Sequence, residues 1–159
     1  MSDREALHAR IQALEDAADI ARLKAAYCAA CDADHDGEAV SRLFVPDGRW
    51  IARGKFMLEG RDAIRAYFDG IRQSGRIRAS SHMIGNPEIS VEGDRARGRW
   101  HLLMLYEGPN ERGERAFFRI IARYDDMFVR AGGAWRFQSL QTSATAHDEY
   151  LCGPSRLTP

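Results

Sequence analysis

Four long segments of extended character, separated by short turns, fill the second half of this chain and constrain its fold more than any other feature. IRASSHMIGNPEISV (77–91), RARGRWHLLMLYEG (95–108), RAFFRIIARYDDMFVR (115–130) and AWRFQSLQTSATAH (134–147) are punctuated by the Gly, Asp, Asn and Pro of residues 92–94, 109–113 and 131–133. Connections this short join strands only antiparallel, so the four make a meander. In RWHLLMLY, Trp100, Leu102, Met104 and Tyr106 face one way while His101, Leu103 and Leu105 face the other. Both faces are largely apolar, which predicts a central strand.

The first half has a different period. Leu7, Ile11 and Leu14 recur at helical spacing through residues 3–15, and a second run carries Ile20, Leu23, Tyr27, Ala30 and Cys31 on one stripe, with Asp16 or Asp19 as its cap. A short helix EAVSRLF follows, then a turn through Pro46–Gly48 into a strand bearing Trp50. Residues 60–75 are helical again, with Ile64, Tyr67, Phe68 and Ile71 on one face. Helices first and a meander after predict an α+β fold, in which N-terminal helices pack on a strongly curved, mostly antiparallel sheet that wraps a cone-shaped cavity. At 159 residues, with no repeat, low-complexity tract or linker, the expectation is a single domain over 1–159.

Charge and composition narrow the function classes. Lys+Arg and Asp+Glu are 23 each, leaving no net positive field or basic run to draw nucleic acid or an anionic membrane. No apolar run reaches a membrane span, and MSDREALHAR is charged where a secretory signal is apolar, so the expectation is a cytoplasmic protein. Three cysteines, Cys28, Cys31 and Cys152, lack a disulfide-framework spacing and suit a reducing compartment. Zero formal charge leaves room for a homo-oligomer, a trimer or dimer, that hides apolar surface.

Several motifs are incomplete. Asp32-x-Asp34-x-Asp36-Gly37 copies the first half of a calcium loop, but its twelfth position, where a bidentate Glu belongs, is Leu43. Cys28-x-x-Cys31 lies within a helix and has no second pair to complete a zinc site. His35, His82, His101 and His147 do not stand at metal-ligand spacing, and no dinucleotide fingerprint, phosphate loop or nucleophile elbow is present. A site without metal or cofactor, run by acid–base chemistry, is the expectation left. Its candidate parts are Tyr27 and Asp32 at the end of a helix and the imidazole of His82 in SSHMIGNPEIS.

The order of these segments, a helix with Tyr27 and Asp32, GRWIA, GRDAIRAYF, SHMIGNPEI, GRWHLLM and a final WRF strand, resembles the SnoaL-like branch of the NTF2-like superfamily over nearly all of residues 11–150. That branch includes scytalone dehydratase, bile-acid 7α-dehydratase and hexachlorocyclohexane dehydrochlorinase. The resemblance implies an α+β barrel of cystatin-like type and a catalytic Asp–His pair at Asp32 and His82. Tyr27 matches the Tyr-x4-Asp spacing of the bile-acid enzyme, and His101 falls where scytalone dehydratase has a second histidine. The arginine that assists the leaving group in some relatives has no counterpart in QTSATA (141–146). Asp34 competes with Asp32 for the pairing role, since a residue seven past Tyr27 shares its helix face whereas one five past lies about 140° away.

The chemistry stands without the resemblance. An imidazole titrates near neutral pH, so His82 can take a proton and return it, while a carboxylate on its second nitrogen fixes the tautomer and stabilises the imidazolium. With Tyr27 and His101 donating to the oxygen that departs or gathers charge, the expected activity is lyase or isomerase, dehydratase-like, on a small apolar cyclic or aromatic substrate. Trp50, Phe56, Met57, Phe68, Met83, Trp100, Met104, Phe118 and Ile120 are the candidate pocket wall. Arg119 and Arg123 select an anionic or carbonyl group if they point inward, and pair with acidic neighbours if outward. The competing classes are a non-catalytic subunit or ligand-binding module of the same fold, and a polyketide-cyclase-type enzyme that needs the aspartate but not His82. His147 and the tail after it either cap the cavity mouth or reach a neighbouring subunit.

Overall fold

The computed structural model describes residues 2–150. Its elements run α1 (Asp3–Asp32), α2 (Gly37–Arg42), β1 (Phe44–Ala52), β2 (Phe56–Glu59), α3 (Arg61–Ser74), β3 (Ala79–Glu92), β4 (Arg95–Pro109), β5 (Arg115–Ala131) and β6 (Ala134–Tyr150). The six strands form one sheet in the order β2-β1-β6-β5-β4-β3. β3 to β6 make the expected antiparallel meander, and β1 joins it parallel to β6. β2 and β3 are free edges. The curved sheet is therefore open, and helices rather than a closing hydrogen-bond ladder cover its concave face.

Alternation decides what that face carries. Along β4, Ala96, Gly98, Trp100, Leu102 and Met104 are buried; along β5, Ala122, Tyr124, Asp126 and Phe128. Gly98 has to be small, because a Cβ there would lie 2.2 Å from the Trp100 indole folded over it. Phe44, Phe128 and Phe137 stack beneath, with Ile20, Val40, Ile64 and Leu140, to form the deep core.

Several expectations change. The two N-terminal helical runs are one continuous helix, opened by a Ser2–Glu5 capping box. Asp16 does not cap: it lies buried at mid-helix and accepts from Arg130, Trp135 Nε1 and Gln12, which ties α1 to β5 and β6. The stripe of Leu7, Ile11 and Leu14 extends past the sheet and is exposed. Pro46–Gly48 makes no chain reversal either; it is a bulge within β1, where the register to β6 shifts between Phe44 and Arg49. β4 is interior to the sheet, yet Leu103 on its outer face is exposed.

Candidate active site

Helix α1 delivers its last turn to the edge strand β3. It ends at Asp32, and Ala33, Asp34 and His35 leave it, the last two at positive φ. Because the helix stops there, the angular argument for Asp34 does not apply. Asp34 instead lies 3.4 Å from Arg72, and Asp36 caps α2 through Ala39 N–H. Asp32 meets β3: its carboxylate accepts from Ser80 Oγ at 2.8 Å, from the His82 backbone N–H at 2.9 Å and from His82 Nδ1 at 2.6 Å. The His82 side chain is 6% exposed and that of Asp32 29%.

Burial alone would raise the Asp32 pKa, but the hydrogen bonds from the His82 backbone, the His82 ring and Ser80 outweigh it and hold the carboxyl below its usual range. Burial lowers the pKa of His82, with a smaller contribution from the Lys24 charge, against the opposing pull of Asp32. The pair is thus a carboxylate and a neutral imidazole at pH 7. An ionised Asp32 accepts only, so Nδ1 carries the proton and Nε2 is left with a lone pair.

His82 lines a cavity of about 270 Å³ between α1, α3 and the concave face of the sheet. Tyr27, Trp50, Phe56, Tyr67, Phe68, Met104, Ile120 and Tyr124 form much of its wall. Trp50 Nε1 donates to the Tyr27 oxygen at 2.9 Å, and Trp50 packs against Phe56 and Tyr67. A void of roughly 150 Å³ suffices for benzene, so this one admits a larger ring system.

The sequence candidates divide. Tyr27, His82, Trp50, Phe56, Phe68, Met104 and Ile120 line the cavity, with Asp32 behind His82. His101 does not: it is exposed on the outer face of β4, and the alternation that turns Leu102 and Met104 inward turns it out. Arg123, its partner across β5, is exposed on that same face, and Met83 is exposed on β3. Arg119 pairs outward with Asp148 at 2.8 Å. Met57 is exposed on β2; Trp100 is core, against Phe128; Phe118 stacks on Tyr106 outside the cavity lining. His147 bonds to the Tyr106 hydroxyl at 2.8 Å, whereas residues 151–159 lie outside the described residues.

A SnoaL-like domain model matches residues 12–141. This chain belongs to the SnoaL-like family. Among solved structures, an NTF2-like protein of cystatin-like fold from Novosphingobium aromaticivorans is 30% identical, with 91% of this chain and 92% of that one covered and a TM-score of 0.73. A protein provisionally assigned as a scytalone dehydratase from the same organism is 25% identical over 96% and 94% of the two chains, TM-score 0.73. A hexachlorocyclohexane dehydrochlorinase of type 3 from Novosphingobium barchaimii shares the fold at 21% identity, 99% and 100% coverage and a TM-score of 0.71. No curated protein matches.

Within this SnoaL-like frame the structure adds residues that the sequence did not assign to the site. His35, next to the helix end, stacks on Phe68 and lines the cavity. Tyr67 and Tyr124 bring two further phenols. Lys24 and Asp126 form an ion pair, 0% exposed on both sides, at 2.8 Å. Their one sequence signal was parity: Lys24 falls on the apolar stripe of α1, and Asp126 on the inward register of β5. Cys28 and Cys31 are inert thiols, since burial pushes the pKa of Cys28 up to about 11 and that of Cys31 higher still. Among the described residues no group of three or more His, Cys, Asp or Glu could hold a metal ion, and no helix is long and apolar enough to cross a membrane.

Proposed function

We propose that this protein is a cofactor-independent lyase or isomerase in which His82 is the base and Asp32 its orienting partner. The supporting observation is the 2.6 Å contact between Asp32 and His82 Nδ1, beside a cavity walled by aromatic side chains. Nε2 of His82 removes a proton from a carbon next to an electron-withdrawing group of a small cyclic or aromatic substrate. The C–H electrons form a C=C bond, and the group on the neighbouring carbon leaves with its electron pair. If that group is hydroxide, the imidazolium returns its proton to it and water departs, so His82 ends neutral. In an isomerisation the same proton goes back to a different carbon.

Tyr27 supports this step as a hydrogen-bond donor. Burial raises its pKa well above 10, so losing the proton outright is too costly. Its oxygen accepts from Trp50, and its O–H has only the weak acceptor Cys31 beside it, which a bound oxygen replaces. With His101 on the outer face, the imidazolium formed at His82 is the proton source for the leaving group.

The comparison that tests this is purified wild type, His82→Ala and Asp32→Asn on a panel of hydroxylated and halogenated cyclic substrates, followed by absorbance of the new double bond. Elimination lost by about 10²–10⁴ in both variants is expected. Turnover that survives His82→Ala and fails only in Asp32→Asn would instead fit an aspartate-driven cyclisation. The proposal extends to a homo-oligomer built on the outer face of the sheet.

A further inference from the structure

The proton-transfer pair leaves one costly feature unexplained. Lys24 projects from α1 into a box of rings, its ammonium 3.1 Å from the centre of the Tyr124 ring, 5.0 Å from Tyr27 and 5.4 Å from Trp100, with Asp126 Oδ2 at 2.8 Å. Asp126 also accepts from the Gln141 backbone N–H. Taking two charges wholly out of water costs several kcal/mol per ion, and apolar side chains of the same volume often fill such space with no loss of stability. The pair therefore does something that packing does not require.

Tyr124 is the group it acts on. This residue stands on the inward register of β5, two positions from Asp126, and lines the cavity that His82 lines. Its hydroxyl makes no hydrogen bond to the described residues, and among them no fully buried side-chain oxygen or nitrogen lacks a partner. The hydroxyl oxygen is accordingly open to the cavity. Tyr27 stands edge-on to it, ring centres 6.3 Å apart. Two phenols, one braced by Trp50 and one faced by an ammonium, thus line the same cavity from α1 and from β5. Burial pushes the pKa of each well above 10, so both stay protonated donors throughout the working range of His82.

We infer that the Tyr124 hydroxyl, with Tyr27, forms an oxyanion-binding pair, and that the ligand class is a carbonyl compound whose oxygen gathers charge when His82 takes the adjacent proton. Donors fixed in a dry site toward a developing oxyanion stabilise it far more than they would in water. Lys24 is a positioning residue: a cation over the π face draws electron density from the ring and strengthens the O–H as a donor, while Asp126 holds the ammonium in place. This deepens the elimination reading and rests on it, because enolate chemistry supplies the charge.

The test needs no turnover. 4-Nitrophenol, whose phenolate absorbs visibly and stands in for an enolate, is titrated with pH in the presence of the whole protein, and nitrobenzene serves as the uncharged control. In wild type the bound phenol ionises at lower pH than the free one. Tyr124→Phe weakens phenolate binding by about ten- to a hundredfold while nitrobenzene binds as before. Lys24→Met/Asp126→Leu, which keeps Tyr124 and removes both charges together, moves the ionisation of the bound phenol back toward its free value. The inference fails if Tyr124→Phe leaves phenolate affinity unchanged or weakens nitrobenzene equally, if wild type does not prefer the phenolate, or if the double variant leaves the ionisation where it was. A protein that ionises the probe yet converts nothing in the substrate panel keeps this inference and removes the catalytic one.

Discussion

His82 is poised between opposing influences: burial lowers its pKa from 6.5, and Asp32 pulls it back. The base must be neutral, so kcat/KM falls with unit slope as pH drops through a value below 6.5, and a pH profile in a non-interacting buffer reads it directly. A profile whose acid limb lies above 6.5 contradicts the burial argument. Stability follows the same sign. A histidine whose folded pKa is depressed contributes fully above its unfolded value and loses that contribution as pH falls through the lower folded one. Asp32, also depressed, adds a second loss below 3.8. The Lys24–Asp126 pair gives a sharper residue-scale outcome. Lys24→Met leaves a carboxylate buried without its partner and is expected to cost about 3–5 kcal/mol in urea unfolding, much of which Lys24→Met/Asp126→Leu recovers. If the single and double variants are equally unstable, the pair is a packing element only.

At the scale of elements, the site depends on where α1 stops and on what holds it against the sheet. Asp16 gathers Arg130, Trp135 and Gln12 two turns before Lys24, and Arg130 also stacks on the Trp135 ring at 4.6 Å. Asp16→Ala strands a buried indole N–H and a guanidinium, with an expected loss of about 1–3 kcal/mol by denaturant titration. The lost anchor also frees the helix that carries Tyr27 and Asp32, so binding of ring ligands weakens in the same variant. Unchanged stability would mean that water replaces the carboxylate at no cost. Local pattern did not reveal this anchor, because an aspartate among alanines on a helix reads equally well as a cap.

For the whole molecule, the outer face of the sheet carries a row that the curved fold leaves uncovered. Met83, Leu103 and Ile121 are register neighbours across β3, β4 and β5 and are 44%, 38% and 41% exposed. In the proposed homo-oligomer this row is the joint between chains. Leu103→Glu is expected to give a smaller species in sedimentation velocity with an unchanged far-UV spectrum; wild type that sediments as a monomer ends the proposal.

Sequence by itself determined most of the elements and their order, although it split α1 into two runs and gave no sign of β2. Period and turn residues mark β3 to β6 to within a few residues because alternation and tight turns are local properties, and the helix bearing Tyr27 and Asp32 is legible for the same reason. The α+β class followed from that order. Tertiary structure alone decided which groups share a space. It paired Asp32 rather than Asp34 with His82 by ending α1 at a definite residue, turned His101 and Arg123 outward by strand parity, and joined Lys24 to Asp126 across 102 positions of chain. Contacts between distant residues depend on curvature and register summed over whole strands, and no local window of sequence holds that sum.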